Sequence, residues 1–239
     1  MGDYVKNESN RSNAPDYPKV SLVIPTLNEA ANLPYVLPKI PSLVDEVIIV
    51  DAHSTDGTAE VAKKLRPDIR VVYQDGIGKG NALKFGFKEC SGDIIVVLDA
   101  DGSMRPQEII SFIEQLRSGY DFVKGSRFLS GGGSADIAFY RFLANKLFII
   151  LTNLLHGTKY TDLCYGYFAF WRQYFKDFEI TCDGFEIEAE INIKVKAARL
   201  RVAEVPSFEE KRISGTSKLR SIRDGWRILR TIIRPPIRD

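Results

Sequence analysis

Cysteine and histidine are scarce in this sequence of 239 residues: three cysteines, Cys90, Cys164 and Cys182, and two histidines, His53 and His156. The cysteines are odd in number, far apart and in no metal-ligand spacing. That excludes a disulfide framework and a Cys/His zinc centre, and it favours a reduced, cytoplasmic setting. Long apolar runs are also missing. The most apolar stretch, residues 137–155, is broken by Arg141, Asn145, Lys146 and Asn153, whereas a spanning helix needs about 20 largely apolar residues. The opening MGDYVKNESNRSNAPDYP holds no apolar segment of the kind a secretion signal carries, and Lys6 stands where a myristoylation motif has Ser or Thr. Nor does one charge dominate. Lys and Arg number 33 against 31 Asp and Glu, a net +2, which excludes a broadly polycationic nucleic-acid binder.

What is present is a lopsided distribution. Residues 213–239 carry seven basic side chains against two acidic ones, a net +5, which leaves −3 for everything before them. Ahead of that tail the chain alternates short β-branched runs with helical patterns. Strands are expected at 20–24, 46–50, 69–74, 93–98 and 121–124, with helices at 32–40, 56–65, 80–90 and 106–118. Ser54, Thr55 or Asp56 suits a helix cap, and Pro106 a first helical turn. Such alternation predicts βαβ units and an α/β fold with a mostly parallel sheet. After the flexible Gly131-Gly132-Gly133-Ser134 come an apolar helix at 137–155, an aromatic-rich stretch at 161–171, a helix at 185–198 and a strand at 200–205. The last element, 217–233, places Leu219, Ile222, Trp226, Leu229 and Ile233 on one helical stripe flanked by arginines. The expected organisation is a flexible lead at 1–18, a catalytic domain at 19–216 and a basic amphipathic helix with its tail at 217–239.

Parallel sheets bind ligands beyond the carboxyl ends of their strands, and the chemistry-bearing residues fall there. Asp99-Ala100-Asp101 follows the apolar strand at 94–98. Two carboxylates so placed repel one another unless a cation, such as Mg²⁺ or Mn²⁺, takes their oxygens; the plainer alternative is a solvated turn capping the next helix. Asp51 ends the second strand and is placed to meet a base or ribose, while Asp56 reads as a turn or cap residue. His53 reads as a loop residue. The segment Ile77-Gly78-Lys79-Gly80-Asn81 precedes a helix, so its amides and Lys79 suit an anion, although the ending of a Walker loop is absent.

The blocks SLVIPTLNEAANL, EVIIVDAHSTDGT, GIGKGNAL, DIIVVLDADGS and VKGSR together resemble family 2 glycosyltransferases with the GT-A fold, over residues 19–219. Within that family the segment Arg212-Ile213-Ser214-Gly215-Thr216-Ser217-Lys218 is similar to one shared by polyprenyl-phosphate hexosyltransferases, the dolichyl-phosphate mannose synthase group. The resemblance implies that Pro25, Leu27, Glu29, Ile49 and Asp51 border the nucleoside. It further implies that Asp99, Ala100 and Asp101 meet ribose and diphosphate, that Asp101 with Ser103 binds a Mg²⁺ or Mn²⁺ cofactor, and that Arg127, Arg212 and Lys218 neutralise phosphates. Leu27 stands where the subgroup has Tyr, Ser103 where it often has Gln, and Asp51-Ala52-His53-Ser54 where the family has Asp-Asp-Gly-Ser.

The activity so implied is inverting transfer of a hexose from a nucleotide-diphospho-sugar of the GDP-mannose or UDP-glucose type to a polyprenyl phosphate. A phosphate acceptor needs no strong base; for a hydroxyl acceptor, Asp162 or the Glu186, Glu188, Glu190 cluster supplies one. Glu186 and Glu190 share a helical face, and Glu188 points elsewhere. Polyprenyl phosphates reside in membranes, so the helices at 137–155 and 217–233 become candidates for peripheral docking on the cytoplasmic face; packing on the core or in a homodimer explains the same stripes. Two other functions fit: a soluble transferase of this fold with a small polar or saccharide acceptor, and a non-catalytic nucleotide-sugar-binding protein.

Overall fold

The computed structural model describes residues 17–234. In chain order these form β1 (Val20–Thr26), α1 (Leu33–Val36), β2 (Glu46–Asp51), α2 (Thr58–Leu65), β3 (Arg70–Tyr73), α3 (Lys79–Glu89), β4 (Ile94–Val97), α4 (Ile109–Arg117), β5 (Phe122–Ser126), β6 (Gly133–Ser134), α5 (Phe139–His156), β7 (Phe168–Trp171), α6 (Ile187–Ala197), β8 (Val202–Pro206), β9 (Phe208–Glu209) and α7 (Ser221–Ile233). The main sheet runs β3-β2-β1-β4-β7-β5-β8. Every neighbouring pair is parallel except the two that β7 makes with β4 and β5.

Strand side chains alternate between faces, and both faces of this sheet are covered. Leu22, Ile24, Ile49 and Val96 pack with Leu33, Ala62, Ile109 and Phe112 on one side. Val23, Ile48, Val50 and Val97 meet Leu83, Phe87, Ile187 and Ile191 on the other. This double burial is why the strands read as unbroken apolar runs. β7 escaped sequence reading because Phe168-Ala169-Phe170 is buried throughout and shows no alternation. The order reverses at β1, which lies between β2 and β4, and the crevice beyond those strand ends is where a ligand fits.

Of the expected lead at 1–18, residues 1–16 lie outside the described residues; Tyr17 packs under the Arg117 guanidinium, 4.4 Å from its ring centroid. At the other end α7 belongs to the body. Ile228 and Ile232 are buried with Phe148 and Ile149 of α5 and Ala189 and Ile193 of α6. Of the apolar stripe read from the sequence, Leu229 packs partly against this core and Leu219 lines the cleft, while Ile222 is 82% exposed, Trp226 69% and Ile233 60%. α5 does likewise. Phe139, Leu143, Leu147, Ile150 and Leu154 are exposed while Phe148 and Ile149 face inward. Among the described residues no helix is long and apolar enough to cross a membrane.

Candidate active site

A cleft of about 490 Å³ opens at the carboxyl ends of β1 and β4 and extends to the groove between α5 and α7. Its floor is the turn after β4. Asp101 Oδ1 accepts a hydrogen bond from Ser103 N at 2.9 Å, and Gly102 sits at φ +79°, a left-handed conformation that favours glycine. This short side-chain-to-backbone turn leaves Asp101 Oδ2 for Arg212, whose Nη2 lies 2.7 Å away. The other arm of Arg212 donates to Glu29 at 3.1 Å.

Asp99 meets Lys79, whose Nζ is 2.8 Å from Oδ1, and the same ammonium lies 2.9 Å from Glu188 Oε1 on α6. Burial pushes the Asp99 carboxyl up to about 6; Lys79 pulls it down, and the nearby Asp101 charge adds to the rise. Burial opposes the charge on Lys79, but its two carboxylates outweigh that, holding its pKa above the usual lysine range. Four carboxylates, Glu29, Asp99, Asp101 and Glu188, thus share two cations, Lys79 and Arg212. The turn is short of positive charge, and its oxygens are the hard donors that Mg²⁺ or Mn²⁺ prefer. Among the described residues, no three His, Cys, Asp or Glu side chains converge into a ready-made cage. An ion at Asp99 and Asp101, with the Ser103 hydroxyl beside them, therefore needs further oxygens, such as those of a diphosphate.

A second charged cluster lies deeper in the cleft. Arg127 grips Asp162 in a bidentate pair, Nε to Oδ2 at 2.7 Å and Nη2 to Oδ1 at 3.0 Å, and its Nη1 donates to Glu209 at 3.0 Å. Asn145 adds a bond to Asp162 Oδ1 at 2.8 Å. Burial raises the Asp162 carboxyl, and the Arg127 and Lys124 charges overcome it to hold it below the usual carboxylate range. Both of its oxygens are occupied and it is fully buried. Asp162 therefore positions Arg127; it has no free oxygen with which to act as a base.

Most expected site residues meet in this cleft: Pro25, Leu27, Glu29, Lys79, Asp99, Ala100, Asp101, Ser103, Arg127, Arg212 and Lys218 all line it. Ile49 and Asp51 do not. Ile49 is wholly buried in the sheet core, and Asp51 stands behind the wall, accepting from Ser54 N at 2.6 Å and Thr26 Oγ1 at 3.1 Å. Asp56 takes the turn role expected of it, accepting from Thr58 N at 3.0 Å.

Two cleft residues had other readings in the sequence, His53 as a loop residue and Glu188 as one of three candidate glutamate bases. His53 holds φ +58° and its Nε2 lies 3.1 Å from Gln74 O, with its ring stacked on Tyr73. The signal was its place at the glycine of the family's Asp-Asp-Gly-Ser, a position whose left-handed backbone glycine adopts at no cost. In the glutamate cluster it is Glu188 that reaches the cleft. Glu190 turns back to accept from Thr181 N and Cys182 N, and Glu186 is buried.

The model of glycosyl transferase family 2 matches residues 21–178. The chain belongs to that family. It is 35% identical over 84% of its length to a dolichol-phosphate mannosyltransferase of Pyrococcus furiosus, and spans 59% of that relative. It is 32% identical over 86% of its length to glycosyltransferase AglJ of Haloferax volcanii, of which it spans 68%. In fold it is similar to glucosyl-3-phosphoglycerate synthase of Mycobacterium tuberculosis, solved with Mn²⁺, UDP and glucosyl-3-phosphoglycerate. The TM-score is 0.74 at 23% identity, covering 96% of this chain and 82% of that one. The mostly parallel sheet with helices on both faces is thus the GT-A fold.

Proposed function

We propose that the chain is a metal-dependent, inverting hexosyltransferase that moves a hexose from a nucleotide-diphospho-sugar to a polyprenyl phosphate at a membrane surface. One observation carries this reading: a single cleft runs from the charge-deficient turn at Asp99 and Asp101, past Arg127, Arg212 and Lys218, to a groove between two helices whose outer faces are apolar. The names of relatives support it, since one is a dolichol-phosphate mannosyltransferase. Structures of similar fold hold UDP with Mn²⁺ or Mg²⁺.

In this reading Asp99, Asp101 and Ser103 would hold a divalent cation, and its chemistry there would be to offset negative charge on the departing nucleoside diphosphate. Arg212 and Lys218 bind phosphate oxygens along the cleft rim. Arg127, fixed by Asp162, presents a permanently charged guanidinium to the acceptor phosphate. That acceptor is already ionised near neutral pH, so its oxygen attacks the anomeric carbon without a side-chain base. The exposed stripes of α5 and α7 bring the cleft to the lipid in which the acceptor sits.

The test is hexose transfer from UDP-glucose and from GDP-mannose to a short polyprenyl phosphate with Mn²⁺ present. Excess chelator or Asp101→Asn is expected to lower the rate about 100-fold or more, with an unchanged unfolding temperature. Full activity of Asp101→Asn under chelator would remove the metal role. Transfer confined to a soluble sugar or phosphorylated small acceptor would replace the polyprenyl reading with the soluble one.

A further inference from the structure

Both oxygens of Asp101 are taken in this structure, and by partners of different kinds. Oδ1 accepts from Ser103 N at 2.9 Å, which closes the turn after β4. Oδ2 lies 2.7 Å from Arg212 Nη2. The other arm of the same guanidinium, Nη1, is 3.1 Å from Glu29 Oε1 and 3.4 Å from Oε2. A protein cation therefore stands at the one oxygen that Asp101 could turn to a divalent ion. The two side chains are only 20% and 14% exposed, so solvent screens the pair incompletely. A second cation at Oδ2 would meet the guanidinium at close range, and the two would repel.

The backbone beneath Arg212 is fixed without help from that ion pair. Glu210 N donates to Ser103 O at 2.8 Å, and Ile213 N donates to Asp101 O at 3.2 Å. Asn32 Nδ2 donates to Ser214 O at 3.2 Å. Ile213 lies so close over the turn that a Cβ on residue 102 would be 2.3 Å from its Cδ1. Residues 210–214 thus form a strap across the turn, tied down by contacts that leave the guanidinium out. Only the Arg212 side chain has to move to uncover Asp101. Glu29, itself held by Asn32, still faces its other arm as it does so.

We propose that Arg212 is an exchangeable counter-ion that closes Asp101 in the metal-free protein and leaves it only when a divalent cation and a nucleoside diphosphate arrive together. The inference rests on the metal-dependent transfer reading above and adds to it a rule of assembly. A cation alone has to break the Arg212–Asp101 pair and then face the released guanidinium. A diphosphate alone brings more negative charge to a turn already crowded with carboxylates. With both present, Asp101 Oδ2 exchanges one cation for another and Arg212 gains phosphate oxygens in place of a carboxylate. Such coupling is reciprocal, so each ligand strengthens the other by the same factor.

The experiment counts free Mn²⁺ by electron paramagnetic resonance, first with protein alone and then with UDP or GDP added. Arg212→Gln removes the guanidinium while the strap keeps its backbone ties. Without nucleotide, this variant is expected to bind Mn²⁺ about fivefold or more tightly than the unaltered protein. The factor by which nucleotide tightens Mn²⁺ binding should shrink at least as much. Lys218→Gln is the control: it removes a cleft cation that is not paired with Asp101 among the described residues, and should change Mn²⁺ binding by less than about twofold. Unchanged or weaker Mn²⁺ binding by Arg212→Gln, an equal gain in Lys218→Gln, or an unaltered coupling factor would make Arg212 one charge among several and overturn the proposal. If the unaltered protein bound no Mn²⁺ even with nucleotide present, the metal-dependent reading would fall and this inference with it.

Discussion

Asp99 is held in a fold that resists its ionisation. Burial lifts its carboxyl from the ordinary 3.8 to about 6, so the folded protein retains a proton that the unfolded chain has already released. Linkage then fixes the sign: ionising Asp99 costs stability that is lost as pH rises from about 4 through 6. Asparagine has no proton to release. The unfolding temperature of Asp99→Asn minus that of the unaltered, metal-free protein is therefore expected to become more positive between pH 4 and 7.5. A flat difference in scanning calorimetry would contradict the account. Asp162 has the opposite character, ionised and indispensable to its partner. Asp162→Asn leaves the Arg127 charge buried with only Glu209, and breaking such a pair costs about 3–5 kcal/mol, a fall of about 10 °C in a chain of this size. Asp99, Asp101 and Lys79 were legible in the sequence because strand-end carboxylates and a lysine opening a helix have few structural uses, and Arg127 was reached through the family resemblance of its block. Glu188 was read as one of three candidate glutamate bases, but its place beside Lys79 was not legible. Its contact with Lys79 spans 109 residues, and which side of α6 faces the cleft is decided by how that helix packs on the sheet.

At the scale of elements, the two apolar sides of α7 do different things. Ile228 and Ile232 bind the helix to α5 and α6, while Ile222, Trp226 and Ile233 face outward. Ile228→Ala is expected to destabilise the fold by about 2–4 kcal/mol, since it opens a cavity between helices. Trp226→Glu should leave thermal unfolding almost unchanged and abolish association with vesicles, read by co-sedimentation. Destabilisation by Trp226→Glu would mean that its ring packs on protein. The sequence read the helix and its amphipathic character, and left open whether its stripe met a membrane, a partner or the core. Two apolar stripes on one helix share the same period, so only the presence of α5 and α6 assigns the inside. The same limit hid β7: an apolar run of four residues among aromatics carries no periodicity to distinguish a strand from a buried loop.

For the whole molecule, the near-zero net charge divides by place. The acidic share gathers at Asp99, Asp101, Glu29 and Glu188 inside the cleft, and the basic share at Arg223, Arg227, Arg230 and Arg234 on the exposed side of α7. None of these four arginines lines the cleft. Near an anionic surface each basic residue contributes about 1 kcal/mol, so together they are worth about a thousandfold in partitioning, and screening erases most of that gain once the Debye length falls to about 3 Å at 1 M salt. The unaltered protein should sediment with vesicles containing anionic lipid at low salt and be released as salt rises. Replacing the four arginines by glutamine should lower low-salt binding by about two to three orders of magnitude. That variant should still transfer hexose at the ordinary rate to a short, water-soluble polyprenyl phosphate, because the cleft is untouched. Vesicle binding that ignored both salt and the four substitutions would leave only the apolar stripes to hold the surface; a matching loss of transfer to the soluble acceptor would instead show that the arginines act within the site.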